Sequence, residues 1–371
     1  MRFGLDQDQV QFSGHVRKFL AVHMPIGKVR AWSEAGTGCP PEVWQRMTQE
    51  LGLGAIGFPE EVGGTGDRLL DQIVVAAELG RVLDPSPYFP SIVVVARTVL
   101  EADPESAWLT ELLDGTTTAS PAMLDPADPN MPTPDGAWAS QDDDGGWRVT
   151  GGRAYVPQGS RVDSFLVLAG SDAGPTLLRV DRESTGVLVT DLPTLDLTRP
   201  VARLDLRDAP AQLVGDPGGG LAPVYASLNR ALVLHAADLS GGARAVLEMT
   251  TAYAKERRQF DRPIASFQAI KHMLADVLLE LEAARSALLY AAPVLDSGEH
   301  EARMLGHLCQ AVASEAFVKA TRTAIQVHGA IGFTWEHDLH LYFKRATSGA
   351  QVLGSPQFHR ERIAAVLLDA S

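Results

Sequence analysis

Phe267, Ile270, Leu274, Val277, Leu281, Ala284 and Leu288 repeat at spacings of three and four. An apolar stripe of that period fits a helix whose buried seam packs on other helices or on a second subunit. It commits the last third of the chain to a helical bundle. The first third has the same texture: in residues 69–82, Leu70, Ile73, Val74, Ala77 and Val82 follow helical spacing. Asp84-Pro85-Ser86-Pro87 then stops the helix, because proline cannot continue it. Between these zones the period changes. Pro121, Pro126, Pro129, Pro132 and Pro134 crowd one stretch, and short apolar runs follow at 147–150, 165–169, 176–180 and 201–206. Runs of four to six residues between Gly, Asp and Pro clusters read as strands of a small antiparallel β-domain. Gly215-Asp216-Pro217-Gly218-Gly219-Gly220 marks its end. The expected organisation is α+β: an N-terminal helical domain over 1–118, a middle β-domain (barrel or sandwich) over 119–216, and a C-terminal four-helix bundle domain over 217–371.

Composition narrows the function. The 371 residues carry 32 Lys and Arg against 46 Asp and Glu, a net charge of -14. That balance argues against nucleic acid or an anionic membrane surface as the main partner. Two cysteines 270 positions apart, Cys39 and Cys309, make no disulfide framework or zinc pattern. A reducing cytoplasm is the simplest home. The first residues have no apolar core of a secretory signal, and no uncharged run reaches the length of a membrane helix.

Chemistry concentrates in Tyr253-x-x-x-Arg257-Arg258-Gln259-Phe260-x-Arg262-Pro263-Ile264-x-x-Phe267-Gln268. This reads as a helix end, a turn broken by Pro263, and a new helix beginning near Ser266. A corner with three arginines and Phe260 suits a phosphate and a flat ring. A charge run of this kind also fits a plain solvated helix end. His328, His337 and His340 lie close in sequence, but no further ligands complete a metal set. Asp142-Asp143-Asp144 before Gly145-Gly146 reads as a solvated hairpin tip, and Trp32, Trp44 and Trp108 as core residues of the first domain. No Gly-x-Ser-x-Gly elbow points to a hydrolase.

The Arg257–Gln268 corner resembles the signature of the acyl-CoA dehydrogenases. Three further segments agree in order: Phe58-Pro59-Glu60-Glu61-Val62-Gly63-Gly64-Thr65-Gly66 with Ala77-Glu78-Leu79-Gly80-Arg81; Gly146-Trp147-Arg148-Val149-Thr150-Gly151-Gly152-Arg153-Ala154-Tyr155-Val156; and Gln326-Val327-His328-Gly329-Ala330-Ile331-Gly332-Phe333. The resemblance implies a three-domain flavoenzyme in which each FAD is shared between subunits. It assigns the diphosphate and adenosine end of a neighbour's FAD to Arg257, Gln259, Phe260, Phe267, Gln268, Gln326, Val327, Gly329 and Ala330.

The departures from that family are selective. Its catalytic glutamate occupies one of two positions, which here fall on Leu353 and on Ala231 (Asn229 or Arg230 in a neighbouring register). No Asp or Glu occurs in residues 217–237 or 339–360, so no small shift restores a base. The family's flavin-facing Thr-Glu-Pro-x-x-Gly-Ser-Asp segment is replaced by residues 121–130. Its Trp-Ile-Ser/Thr triplet becomes Tyr155-Val156-Pro157, where Pro157 has neither hydroxyl nor N–H. Groups for a flavin in this chain's own pocket are gone, and groups that reach a neighbour's FAD remain. No catalytic residue is therefore expected in the chain. The pattern resembles the non-catalytic chain of the α2β2 actinobacterial dehydrogenases of steroid side-chain CoA thioesters. The implied partners are a catalytic dehydrogenase chain from a neighbouring gene, an acyl-CoA and an electron-accepting flavoprotein. The alternatives are a self-sufficient homotetrameric FAD enzyme with an unusual base, and a non-enzymatic CoA- or protein-binding module.

Overall fold

Apolar spacing of three and four places helices at both ends of the chain, and the computed structural model, which describes residues 4–125, 130–298 and 302–369, has them there. The N-terminal helical part runs through α1 (Gln7–His23), α2 (Ile26–Glu34), α3 (Pro41–Gln49), α4 (Leu69–Arg81), a π-helical stretch at Tyr88–Ala96, α5 (Arg97–Ala102) and α6 (Ala107–Leu113). Asp6 starts α1 with a capping box, accepting from the Gln9 amide at 2.8 Å while the Gln9 side chain accepts from the Asp6 amide. In α4 the expected stripe is buried at Ile73 and Val74, whereas Leu70 and Ala77 are half-buried; the buried face also takes Leu69, Val75, Ala76 and Leu79.

A curled central sheet follows: β1 (Ala119–Ala122), β2 (Ala137–Gln141), β3 (Trp147–Pro157), β4 (Ser164–Ala169), β5 (Thr176–Asp181), β6 (Val187–Leu192) and β7 (Val201–Val214). The order is β1-β4-β5-β7-β3-β2, with β6 also on β7. The fourteen-residue β7 holds it together, pairing antiparallel with β3, β5 and β6 along its length. The four expected apolar runs fall in β3, β4, β5 and β7. Inward residues such as Val149, Phe165, Leu178, Val180 and Leu204 form one core. At the β2–β3 turn, Asp142 accepts from the Gly146 and Asp144 amides, which makes the acidic triplet a hairpin tip. Backbone hydrogen bonds and Arg148 pull the Asp142 carboxyl below its ordinary pKa.

The C-terminal helical part comprises α7 (Leu221–Glu256), a small hairpin of β8 (Arg258–Gln259) and β9 (Arg262–Pro263), α8 (Gln268–Ser297), α9 (Ala302–His328), α10 (Leu339–Gly349) and α11 (Pro356–Asp369). The heptad-like stripe lies on α8 and its N-terminal approach. Its second half, Val277, Leu281, Ala284 and Leu288, is buried, while Phe267, Ile270 and Leu274 are only half-buried.

Spatially the chain divides into two compact units. One contains Met1–Glu34, Arg68–Asp84 and Leu232–Ser371; the other contains Ala35–Asp67 and Pro85–Ala231. In the first unit α4 and α7 touch backbone to backbone. A Cβ on Gly80 would lie 1.9 Å from the Asp238 carbonyl oxygen, and one on Gly241 would lie 1.9 Å from that of Ala77. Only glycine admits so close a crossing. In the second unit Ser91, on the π-helical stretch, bonds both the N–H and the C=O of Ala119 at 2.8 Å and so fixes β1. Trp44 and Trp108 are buried here, whereas Trp32, in the first unit, is half-buried. Among the described residues no helix is long and apolar enough to cross a membrane.

Candidate functional site

The corner between α7 and α8 is built from the residues up. Positive φ at Phe260 and Asp261 turns the chain between two-residue strands, and the Ile264 amide donates to the Arg257 carbonyl at 2.8 Å. The bend exposes Phe260, which is 86% accessible. The three arginines then differ in what they do. The Arg258 guanidinium donates to the Asp261 carbonyl at 2.6 Å, so it braces the turn. Arg262 lies 4.1 Å over the Phe267 ring, whose edge meets Phe260 in a T-shaped contact. The Arg257 guanidinium is exposed and has no partner among the described residues. The same holds for the side-chain amides of Gln259, Gln268 and Gln326.

The structure brings the second motif to this corner, more than sixty residues along the chain. Val327, at the end of α9, is buried with Ala254 and Ile264, and Tyr253, Phe267 and Ile270 pack against them. Its side chain therefore serves this small core. His328 stacks on Tyr253 with ring centroids 4.2 Å apart, and the Tyr253 hydroxyl donates to the His328 carbonyl at 3.4 Å. His328 Nδ1 donates to the Ala324 carbonyl at 2.8 Å, and burial pushes the imidazole below its ordinary pKa. Gly329 then leaves the helix at φ 66°, where a Cβ would be strained although it would meet nothing within 4 Å. Gln326, Gly329 and Ala330 are exposed. All nine expected residues lie in the first compact unit and cluster at one end of its helices. The Tyr253–His328 stack that ties the motifs together escapes sequence reading, because its partners are 75 residues apart.

These residues fit an anionic dinucleotide end. An unpaired guanidinium offers a fork to a diphosphate, an exposed phenyl ring offers a flat face, and three free amides offer donors and acceptors. Among the described residues no group of three or more His, Cys, Asp or Glu is placed to hold a metal ion.

The positions where a base is expected are apolar in space as well. Ala231 is fully buried in α7. Leu353 sits at φ 58° in the turn before α11. At the end of β3, Tyr155 and Gln158 both take positive φ. The Pro157 carbonyl accepts from Ser120 Oγ at 2.5 Å, and the side-chain Nε2 of Gln158 donates to the Pro85 and Ser86 carbonyls at 3.1 and 2.7 Å. Arg153 is wholly buried and donates to the carbonyls of Pro134 (2.9 Å), Asp135 and Leu168. Burial pushes its pKa down to about 10 against the pull of Asp125 and Asp135. Of the divergent 121–130 segment, residues 126–129 lie outside the described residues.

Comparison with known proteins agrees with this layout. Family models for the acyl-CoA dehydrogenase N-terminal and C-terminal domains match residues 6–115 and 218–368. Acyl-CoA dehydrogenase IpdE2 of Mycobacterium tuberculosis is 34% identical over 342 residues, 92% of each chain. Among solved structures, the ChsE4-ChsE5 complex from Mycobacterium tuberculosis matches with a TM-score of 0.87 at 27% identity, over 99% of both chains. A point variant of the Tcur3481-Tcur3483 steroid ACAD matches at 0.86 and 26%, over 98% of both. With both terminal domains matched and a relative this similar along nearly its whole length, the chain belongs to the acyl-CoA dehydrogenase family.

Proposed function

We propose that this chain is the FAD-completing subunit of a heteromeric acyl-CoA dehydrogenase and contributes no catalytic base. The observation that carries the reading is a contrast within one molecule. The Arg257 corner stands complete, with its guanidinium unpaired, while both base positions hold alkyl side chains, Leu353 and Ala231. In this reading the chain acts through binding. Arg257 meets the diphosphate, and Phe260 and Phe267 cover the flat adenine end. Gln259, Gln268 and Gln326 reach polar edges, and the backbone at Val327, Gly329 and Ala330 lies alongside. Bound FAD supplies the hydride acceptor for oxidation of an acyl-CoA to the 2,3-enoyl-CoA. The partner chain, from a neighbouring gene, supplies the base and seats the flavin ring, in an α2β2 assembly.

Two similar structures bear two-chain names, and one of them is a steroid enzyme by name. Both support a heteromer, and the second supports a steroid side-chain CoA thioester as substrate. An electron-accepting flavoprotein and a cytoplasmic setting complete the proposal, with domains at 1–118, 119–216 and 217–371.

The test is expression of the chain alone and together with the neighbouring dehydrogenase gene, followed by an absorbance scan of the purified protein. A yellow complex formed only with the partner is expected. A yellow chain alone would replace this reading with a self-sufficient enzyme, and no flavin in either sample would replace it with a binding module.

A further inference from the structure

The chain that follows α9 is gripped by α2. Arg30 and Glu34 stand one turn apart on α2, so their side chains leave the same face of the helix. The Arg30 guanidinium pairs with the Asp338 carboxylate at 2.8 Å, donates to the Glu336 carbonyl at 3.3 Å and reaches His340 Nε2 at 3.4 Å. A guanidinium only donates, so His340 accepts there. Burial, with Lys344 and Arg30 close by, holds the His340 imidazole below its ordinary pKa, which favours the unprotonated ring that this contact needs. Glu34 accepts from the Trp335 indole N–H at 3.2 Å. The same indole stacks on His340 with ring centroids 4.5 Å apart, and the Lys344 ammonium lies 4.2 Å from its centroid.

The run from Gly329 to Trp335 has little else to hold it. Ile331, Phe333 and Trp335 are 46%, 76% and 56% accessible, so their apolar surface contributes little burial. The Thr334 amide and hydroxyl both return to the Ile331 carbonyl, which shapes the turn without fixing its place. Gly329, at φ 66°, is a pivot at the start of the run. Behind the pivot, His328 is stacked on Tyr253. A segment held behind a glycine pivot needs a second anchor before its first residues have one position, and the α2 grip is that anchor.

We infer that Arg30 and Glu34 are positioning residues for the Gly329–Ala330 backbone, acting through Trp335 and the 336–340 segment. The inference rests on the cofactor reading above, in which that backbone lies alongside the FAD. Neither side chain touches the ligand. Both act by removing alternative positions of the segment before a ligand arrives. No motif announces this role, because Glu34 and Trp335 are 301 positions apart.

Hydrogen–deuterium exchange on the full-length chain, alone and in its deflavinated co-expressed complex, reads the order of the segment without FAD. FAD titration of the same complex reads the consequence. Arg30→Ala is expected to speed exchange at residues 329–338 and leave residues 254–268 unchanged. It should weaken FAD about tenfold, the cost of ordering roughly one backbone residue at the binding step. Arg30→Lys keeps the charge beside Asp338 without the fork and should fall between. Glu34→Ala should weaken FAD about threefold, and Glu34→Gln, which keeps an acceptor for the indole, should restore the affinity. A general loss of stability would not follow that order. Unchanged exchange in Arg30→Ala overturns the proposal, as does a Glu34→Gln variant no better than Glu34→Ala. If Arg257→Ala weakens FAD and Arg30→Ala does not, the positioning role fails alone. If neither weakens it, the cofactor reading fails and this proposal falls with it.

Discussion

Arg257→Ala separates ligand binding from folding, because the three arginines of the corner have different employment. Arg258 is tied to the Asp261 carbonyl and Arg262 lies over Phe267, but the Arg257 guanidinium makes no hydrogen bond or ion pair among the described residues. Its removal leaves nothing unpaired, so stability should change by no more than about 0.5 kcal/mol, the usual range for such surface positions. A charge-assisted contact to a diphosphate is worth roughly 1.5–3 kcal/mol. Its loss weakens FAD about ten- to a hundred-fold. Arg257→Lys keeps the charge without the planar fork and should fall between. Arg262→Ala should instead cost about 0.5–1 kcal/mol of stability through the lost ring contact. The assay is FAD titration of the deflavinated complex by fluorescence, with thermal unfolding of the same samples. Unchanged FAD affinity in Arg257→Ala, or an equal loss of affinity in all three arginine variants, would refute the assignment.

Restoring a carboxylate by Ala231→Glu or Leu353→Glu should not create a second working site, measured as turnover per bound FAD with an artificial acceptor. Ala231→Glu should also lower the melting temperature, since a charged chain enters a fully buried helix position. Arg153→Met should destabilise the middle domain by about 3 kcal/mol or more in urea, because three carbonyls lose their donor at once. His307 and His359 face each other with Nδ1 atoms 2.8 Å apart, and burial holds both imidazoles down to about 4. The unfolded chain, with histidines near 6.5, takes up protons first, so stability is full above about pH 6.5 and falls as pH drops toward 4. The chain is therefore less stable at pH 5 than at pH 7. A urea midpoint that does not move between pH 7 and pH 5 contradicts this, and a His307→Phe, His359→Leu double variant should flatten the dependence.

The strands that sequence reading finds are those with unbroken apolar runs, such as Phe165 to Ala169 in β4. β1 escapes it because Ala-Ser-Pro-Ala has neither alternation nor β-branched residues; it is a strand only through its parallel pairing with β4 and the Ser91 bonds. β6 is missed for a related reason: Val187 and Val189 are only half-buried, Leu188, Thr190 and Asp191 between and after them stay exposed, and no long apolar run forms. The corner motif is legible through family resemblance, and its arginines alone would also fit a solvated helix end. What the sequence does not show is the division of labour among them, which depends on a turn with two consecutive positive φ angles. The Arg153 cage is equally hidden, since its acceptors are main-chain carbonyls whose position no side chain announces.

The stack of His328 on Tyr253 and the packing of Val327 against Ile264 and Ala254 have a thermodynamic consequence. They hold the hairpin and the end of α9 together without help from any bound molecule. The entropy of arranging these two segments is therefore lost when the chain folds, so a ligand arriving later meets a rigid template and loses less of its binding free energy to loop ordering. Weakening the stack, as in Tyr253→Ala, should transfer that ordering cost to the binding step. Affinity would then fall although no atom that touches the ligand has been removed.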